Sequence, residues 1–174
     1  MNTALFVGRF QPFHNGHFDI LKKIIKENNL TVIVIGSAEK NFTPGDPFTA
    51  GERFQMIEES LKEAKIPKEK YYIIPVNNIN NYALWPSYVD LYVPPYNKLY
   101  TGSKLVKYCY KLSNHHHKIK IIDVKKRIPL SATKVRTAIL KNKGWGKMVP
   151  KSVEKLLKKW DASGRLKTIE ESLT

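Results

Sequence analysis

Cysteine is almost absent from this chain of 174 residues. Its single cysteine, Cys109, cannot form a disulfide within the chain, which excludes a secreted scaffold held together by internal disulfides. The first residues also lack the basic segment followed by an apolar stretch that is typical of a secretory leader. We therefore expect a reducing, cytoplasmic location.

Long apolar runs are missing as well. The longest, such as residues 32–35 and 119–122, are far shorter than the roughly 20 residues that a membrane-spanning helix requires. No membrane association is expected.

Acidic residues are scarce. The chain has 30 lysines and arginines but only 15 aspartates and glutamates, which gives a formal net charge of +15. Such a charge attracts polyanions, which include both nucleic acids and phosphorylated metabolites. The basic residues are spread along the chain without a recognised nucleic-acid-binding motif. A nucleic-acid-binding module therefore remains the less favoured alternative.

Apolar strand-like runs alternate with helical periods over the first three quarters of the chain. Strands are predicted at 4–7, 31–35, 71–75, 98–100 and 118–124, and helices at 18–26, 50–64, 83–91 and 103–111. This alternation predicts an α/β fold with a Rossmann-like open parallel sheet and helices on both faces. Residues 131–174 are predicted to form a helical segment that ends in a polar tail. Because the sequence contains no linker long enough to divide the chain, we expect a single domain.

The strongest motif is Gly-Arg-Phe-Gln-Pro-Phe-His-Asn-Gly-His at residues 8–17, between the first strand and the first helix. At the start of a helix, His14 and His17 can bind phosphate oxygens beside free N–H groups, Gly16 permits close approach, and Arg9 adds a planar cation. An Asn-Gly pair often marks a hairpin turn. The helical period that follows favours the phosphate site.

Two further helix starts carry candidate anion ligands. In Pro-Phe-Thr-Ala-Gly-Glu-Arg at 47–53, Thr49 and Glu52 form a predicted capping box, with Arg53 in the first turn. Residues 131–136 offer two hydroxyl groups and an arginine; these candidates are Ser131, Thr133 and Arg136. Each could equally be an ordinary helix start with solvated charges.

A fourth segment, residues 75–85, has four asparagines and a tryptophan after the third strand. Amide groups beside a stacking indole suit a flat polar ring, although a core tryptophan and a solvated loop explain the same residues. The run His115–His117 could bind a metal, but adjacent residues do not converge on one ion, so a solvated loop is expected there.

These motifs resemble those of the nucleotidyltransferase superfamily related to class I aminoacyl-tRNA synthetases, and specifically its archaeal nicotinamide-mononucleotide adenylyltransferase branch. The resemblance runs from about Ala4 to Trp160. It implies transfer of AMP from ATP to nicotinamide mononucleotide, with Mg²⁺ bridging the triphosphate. Relatives form hexamers, or dimers and tetramers in other branches, so a homo-oligomer is expected.

The resemblance also implies roles for individual residues. The catalytic set is His14, His17, Arg9, Arg53 and Arg136. The ATP-binding set is Gly8, Arg9, Phe10, His14, Gly16, His17, Gly102, Ser131, Thr133 and Arg136. The set for the nicotinamide nucleotide is Asn77, Asn78, Ile79, Tyr82 and Trp85. An enzyme of the same superfamily that makes dephospho-coenzyme A, FAD or a CDP-alcohol remains the nearest alternative.

Overall fold

A five-stranded parallel sheet forms the centre of the molecule, as the alternating pattern predicts. The computed structural model describes residues 2–113, 119–124 and 128–173. The strands are β1 (Thr3–Gly8), β2 (Leu30–Gly36), β3 (Tyr71–Val76), β4 (Lys98–Thr101) and β5 (Lys120–Asp123). They are ordered β3-β2-β1-β4-β5 and all neighbours are parallel. The chain changes direction across the sheet between β1 and β4, where ligands of such sheets bind at the carboxyl ends of the strands.

Helices connect the strands and follow the last one. They are α1 (Asn15–Glu27), α2 (Ala50–Glu63), α3 (Trp85–Asp90), α4 (Lys104–Leu112), α5 (Ala132–Leu140), α6 (Lys151–Lys159) and α7 (Ala162–Glu171), with 3-10 turns at Lys68–Lys70 and Trp145–Met148. The predicted capping box of α2 is confirmed. Thr49 Oγ1 accepts the Glu52 N–H at 3.2 Å, and the Glu52 carboxylate accepts the Thr49 N–H at 2.9 Å.

The alternation of side chains along β1 places apolar groups on both faces of the sheet. Ala4 and Phe6 lie in one apolar cluster with residues of α1, α2 and the C-terminal helices. Leu5 lies in a second cluster on the opposite face, with Trp85 of α3 and Tyr110 of α4. The Rossmann-like arrangement with both faces covered is therefore confirmed.

The C-terminal region differs from its prediction in one respect. The expected polar tail is the helix α7, which begins after Asp161, whose carboxylate accepts the Gly164 N–H. Ala162, Leu166 and Ile169 are buried, so a narrow apolar stripe docks an otherwise polar helix.

Two remaining predictions concern metals and membranes. The run His115–His117 lies outside the described residues. Within the described ranges, no helix is long and apolar enough to cross a bilayer.

Candidate active site

Two glycines, Gly8 at the end of β1 and Gly16 in the first turn of α1, leave little room for a side chain. A Cβ on Gly8 would lie 2.7 Å from the Phe10 ring, and a Cβ on Gly16 would lie 3.0 Å from the His14 ring. Phe10 itself has φ of 53°, and its side chain is buried. The Phe10 ring therefore lies in the core. The predicted contact of Phe10 with ATP can involve only the main chain of this residue.

His14 and His17 lie against each other at the start of α1. Nδ1 of His14 accepts the backbone N–H of His17 at 3.3 Å, which makes His14 the helix cap. With Nδ1 as the acceptor, neutral His14 carries its proton on Nε2, an assignment that follows from this bond. The two rings stack with centroids 3.7 Å apart, and Phe10 packs edge-on against His17 at 5.0 Å. Both imidazoles are thus held in place by packing.

Arg9 extends from the same loop and pairs with an acid that the sequence motifs did not identify. Its Nη1 lies 3.2 Å from each carboxylate oxygen of Asp46, in the loop between β2 and α2. The Asp46 side chain is only 8% exposed, whereas that of Arg9 is 60% exposed. Asp46 therefore anchors a guanidinium that stays open to solvent and available to a phosphate.

Arg53 has a different environment from the one that the resemblance implies. Its side chain is fully buried, and its nitrogens donate to main-chain carbonyl oxygens, including those of Arg9 at 3.0 Å and Gly36 at 2.9 Å. The other acceptors are the carbonyl oxygens of Thr49, Ser37, Ala38 and Lys40. Because a guanidinium has five N–H groups, these carbonyls use all of its donors. Direct contact between Arg53 and a phosphate does not fit this geometry.

Arg136 meets the β1 loop from α5. Its Nη1 donates to the Gln11 carbonyl oxygen at 2.7 Å, and its Nη2 lies 3.4 Å from Thr133 Oγ1. Burial lowers the pKa of the Arg136 guanidinium, the nearby charge of Arg9 lowers it further, and Asp46 opposes both. Gln11 lies two residues after Arg9, so this hydrogen bond brings the Arg136 guanidinium to the loop that carries Arg9. Two cations therefore converge beside the start of α1, where a polyanion would relieve their repulsion.

The predicted hydroxyl ligands lie at the start of α5, and the predicted Gly102 lies at the end of β4. Ser131 caps α5, since its Oγ accepts the Lys134 N–H at 3.3 Å. Gly102 follows β4 directly, and a Cβ there would lie 3.2 Å from the carbonyl oxygen of Val124. Gly102 is thus at the switch point beside β1, as a nucleotide contact requires, while the Ser131 hydroxyl already serves a helix cap.

The segment after β3 divides into an exposed part and a buried part. Asn77 and Tyr82 are exposed, and Asn78 and Ile79 are partly exposed. Trp85 is only 8% exposed and meets Tyr110 edge-on, with ring centroids 6.3 Å apart. Its indole, at the start of α3, therefore packs in the core against α4. It does not present the open stacking face that the resemblance implies.

Comparisons with known proteins identify the family of the chain. A family model described as cytidylyltransferase-like matches residues 5–138. The chain belongs to this family. It is similar to the nicotinamide-nucleotide adenylyltransferases of Picrophilus torridus, at 38% identity over 97% of this chain and 98% of that one, and of Methanococcus vannielii, at 40% identity over 97% and 95%. The resemblance drawn from the motifs is thereby confirmed.

Solved structures share the architecture of this chain. A bifunctional NMN adenylyltransferase/ADP ribose pyrophosphatase from Francisella tularensis matches with a TM-score of 0.81 at 23% identity. The match covers 98% of this chain and 53% of that one, so this chain spans about half the length of that protein. A second structure of the Francisella protein, complexed with AMP and a Mn ion, matches with a TM-score of 0.76.

Two residues of the cytidylyltransferase-like site were not identified from the motifs. Asp46 is the only acid between Glu39 and Glu52, and its position after β2, at the ligand-binding end of the sheet, was the available signal. The buried amide of Gln11 exchanges two hydrogen bonds with the main chain of Phe48, at 2.8 and 2.9 Å. No pattern in the sequence indicates that pairing, because it joins segments 37 residues apart.

Proposed function

We propose that this protein transfers AMP from ATP to nicotinamide mononucleotide, which yields NAD and pyrophosphate. The observation that carries the proposal is the histidine stack at the start of α1, next to the β1 loop that contains Arg9 and accepts a hydrogen bond from Arg136. Relatives named nicotinamide-nucleotide adenylyltransferase, at 38% and 40% identity over 97% of the chain, support the choice of acceptor.

The reaction needs no nucleophile from the protein. An oxygen of the acceptor's 5′-phosphate attacks the α-phosphorus of ATP, and a new P–O bond forms. The bond from the α-phosphorus to the bridging oxygen breaks, and its electron pair leaves with pyrophosphate. Because a phosphate monoester is largely ionised near neutral pH, the attacking oxygen needs no activation, and no covalent enzyme intermediate forms. Positioning and charge stabilisation then supply the catalysis.

The residues around the start of α1 are assigned separate roles in this reaction. The imidazoles of His17, which is partly exposed, and of His14, which is buried, are assigned to ATP phosphate oxygens beside the helix N-terminus, with His17 as the transition-state contact at the α-phosphate. Arg9 and Arg136 neutralise the charge on the phosphates and on departing pyrophosphate. Arg53 acts as a positioning residue, because it holds the carbonyl oxygen of Arg9.

Mg²⁺ is proposed as the metal that accompanies ATP. Within the part of the chain that the structure describes, no group of three or more His, Cys, Asp or Glu side chains is arranged to hold a metal ion. Triphosphate oxygens and water fit Mg²⁺ as its main ligands, and the metal would neutralise charge on the triphosphate. The chain's contribution is then to hold the phosphates through Arg9, Arg136 and the start of α1.

The proposal also includes a cytoplasmic location and a homo-oligomeric assembly, both of which rest on the resemblance to the family. Size-exclusion chromatography with light scattering measures the assembly directly.

Pyrophosphate release is the experiment that tests the activity. Purified protein with ATP and Mg²⁺ is given nicotinamide mononucleotide, nicotinic acid mononucleotide, phosphopantetheine or FMN in separate reactions. Release with a pyridine mononucleotide supports the proposal. Release only with phosphopantetheine or FMN would keep the phosphate site and assign a different acceptor. No release with any of them would favour the binding-module alternative, which retention on DNA at low salt then tests.

A further inference from the structure

Two hydrogen bonds join the loops that follow β2 and β3. The Ala38 N–H donates to the Val76 carbonyl oxygen at 3.1 Å, and the Asn78 N–H donates to the Glu39 carboxylate at 2.9 Å. Because β2 and β3 are neighbouring parallel strands, both loops lie at the same end of the sheet. The Glu39 carboxylate is therefore held beside residues 77–84, which include most of the set that the resemblance assigns to the nicotinamide nucleotide.

The Glu39 side chain is exposed, and its charge reaches groups on two sides of the loop. Burial lowers the pKa of Arg53, whereas the charges of Asp46 and Glu39 oppose that effect. The pKa of the Tyr88 phenol is raised by its hydrogen bond with Tyr92 and by burial, and Glu39 adds to this. The carboxylate thus contributes a negative potential between the β2 loop and α3.

No cationic side chain within residues 77–84, the proposed acceptor segment, counters this charge. Residues 77–84 contain no lysine or arginine, so the segment itself offers no partner for a carboxylate on a ligand. The buried Arg53 is nearby, but main-chain carbonyl oxygens use its donors. An anionic ring substituent at residues 77–84 would meet the Glu39 carboxylate with no cationic side chain of that segment to offset the repulsion.

Two acceptors differ in this one feature. Nicotinamide mononucleotide and nicotinic acid mononucleotide share the phosphate, the ribose and the cationic ring, but the first carries a neutral amide where the second carries a carboxylate. We propose that Glu39 is a specificity-determining residue that disfavours the acceptor with the carboxylate. The inference rests on the proposed function and on binding of the acceptor ring at residues 77–84.

The test compares the ratio of kcat/KM values for the two acceptors between wild type and Glu39→Gln. Glutamine keeps an oxygen that can accept the Asn78 N–H, so the substitution removes the charge and preserves the hydrogen bond. Glu69→Gln is the matched control, because Glu69 is exposed in the 3-10 turn that precedes β3, at the opposite end of the sheet. Pyrophosphate release gives kcat/KM for each acceptor with wild type and both variants.

Wild type should prefer the nicotinamide nucleotide, and Glu39→Gln should reduce that preference by about fivefold through a higher kcat/KM for the nicotinic acid nucleotide. Because the effect is electrostatic, it should shrink when the salt is raised to roughly 0.5 M. An unchanged preference, an equal change in Glu69→Gln, or a wild type that prefers the nicotinic acid nucleotide would overturn the role of Glu39 while leaving the proposed function intact. Use of neither acceptor by wild type would overturn the proposed function and this inference together.

Discussion

The guanidinium of Arg53 donates a 3.0 Å hydrogen bond to the carbonyl oxygen of Arg9. Its other bonds reach the carbonyl oxygen of Gly36 at the end of β2 and those of the following loop. One buried cation therefore ties the loop that carries the catalytic arginine to the neighbouring strand and to α2. Its removal should disturb the positions of both loops.

Replacement of Arg53 by Met should destabilise the protein by about 3 kcal/mol, because several buried carbonyl oxygens would lose their donors. Urea denaturation followed by circular dichroism measures this change. Lys155→Met, at an exposed position of α6, is the control and should change stability by less than about 0.5 kcal/mol. Equal stabilities for the two variants would contradict the role assigned to Arg53.

Arg165 connects α7 to the start of α2. Its Nη1 lies 2.7 Å from the Glu52 carboxylate, both side chains are less than one fifth exposed, and the guanidinium lies over the rings of Phe42 and Phe48. Arg165→Met should therefore cost about 2 kcal/mol of stability. Lys167→Met on the exposed face of α7 provides the comparison in the same denaturation experiment, and a similar loss there would point to a general effect on α7.

The Glu52 carboxyl should make stability depend on acid pH. Burial raises its pKa, but the hydrogen bonds from Arg165 and Thr49 and the charge of Arg165 outweigh burial, so the pKa lies below the ordinary value of 4.5. A lowered folded-state pKa adds stability above the unfolded value, and this contribution is lost as pH falls through the folded value. Wild type should thus lose stability more steeply than Glu52→Gln below about pH 4.5. Parallel melting-temperature curves for the two proteins would contradict this assignment.

His17→Ala should lower kcat by about 100-fold or more and raise the KM for ATP by much less, since the imidazole is assigned to the transition state. Steady-state pyrophosphate release measures both constants. Circular dichroism controls for folding, because the His17 ring packs against His14 and Phe10. Equal losses in kcat and in ATP affinity would show that His17 contributes ordinary substrate binding.

Asp46→Asn should tighten ATP binding by about threefold, because the amide oxygen can still accept from Arg9 while a negative charge leaves the phosphate site. Titration calorimetry with ATP at low salt measures this change, and the difference should diminish at high salt. Arg9→Gln should act in the opposite direction. Weaker ATP binding by Asp46→Asn would mean that the carboxylate itself is required to orient the guanidinium.

The order of the elements and the location of the phosphate site could be predicted from the sequence. The apolar run of β2 and the helical periods on either side of it determine a parallel sheet with covered faces, because only that arrangement buries such strands. The motif at residues 8–17 lies between the first strand and the first helix. A position between a strand and the following helix is itself a position at the carboxyl end of the sheet.

The partners of individual side chains were decided by the tertiary structure. Arg53 and Arg136 both follow a helix start in the sequence, yet Arg53 is enclosed by carbonyl oxygens, whereas Arg136 is partly exposed and donates to the carbonyl oxygen of Gln11. Likewise, Trp85 follows a polar segment but packs against Tyr110 on the far side of the sheet. The local sequence pattern indicates the type of secondary-structure element and the side chains that the element carries. Whether a cation or an indole is left open to a ligand depends on chain segments distant in sequence, and only folding brings those segments together.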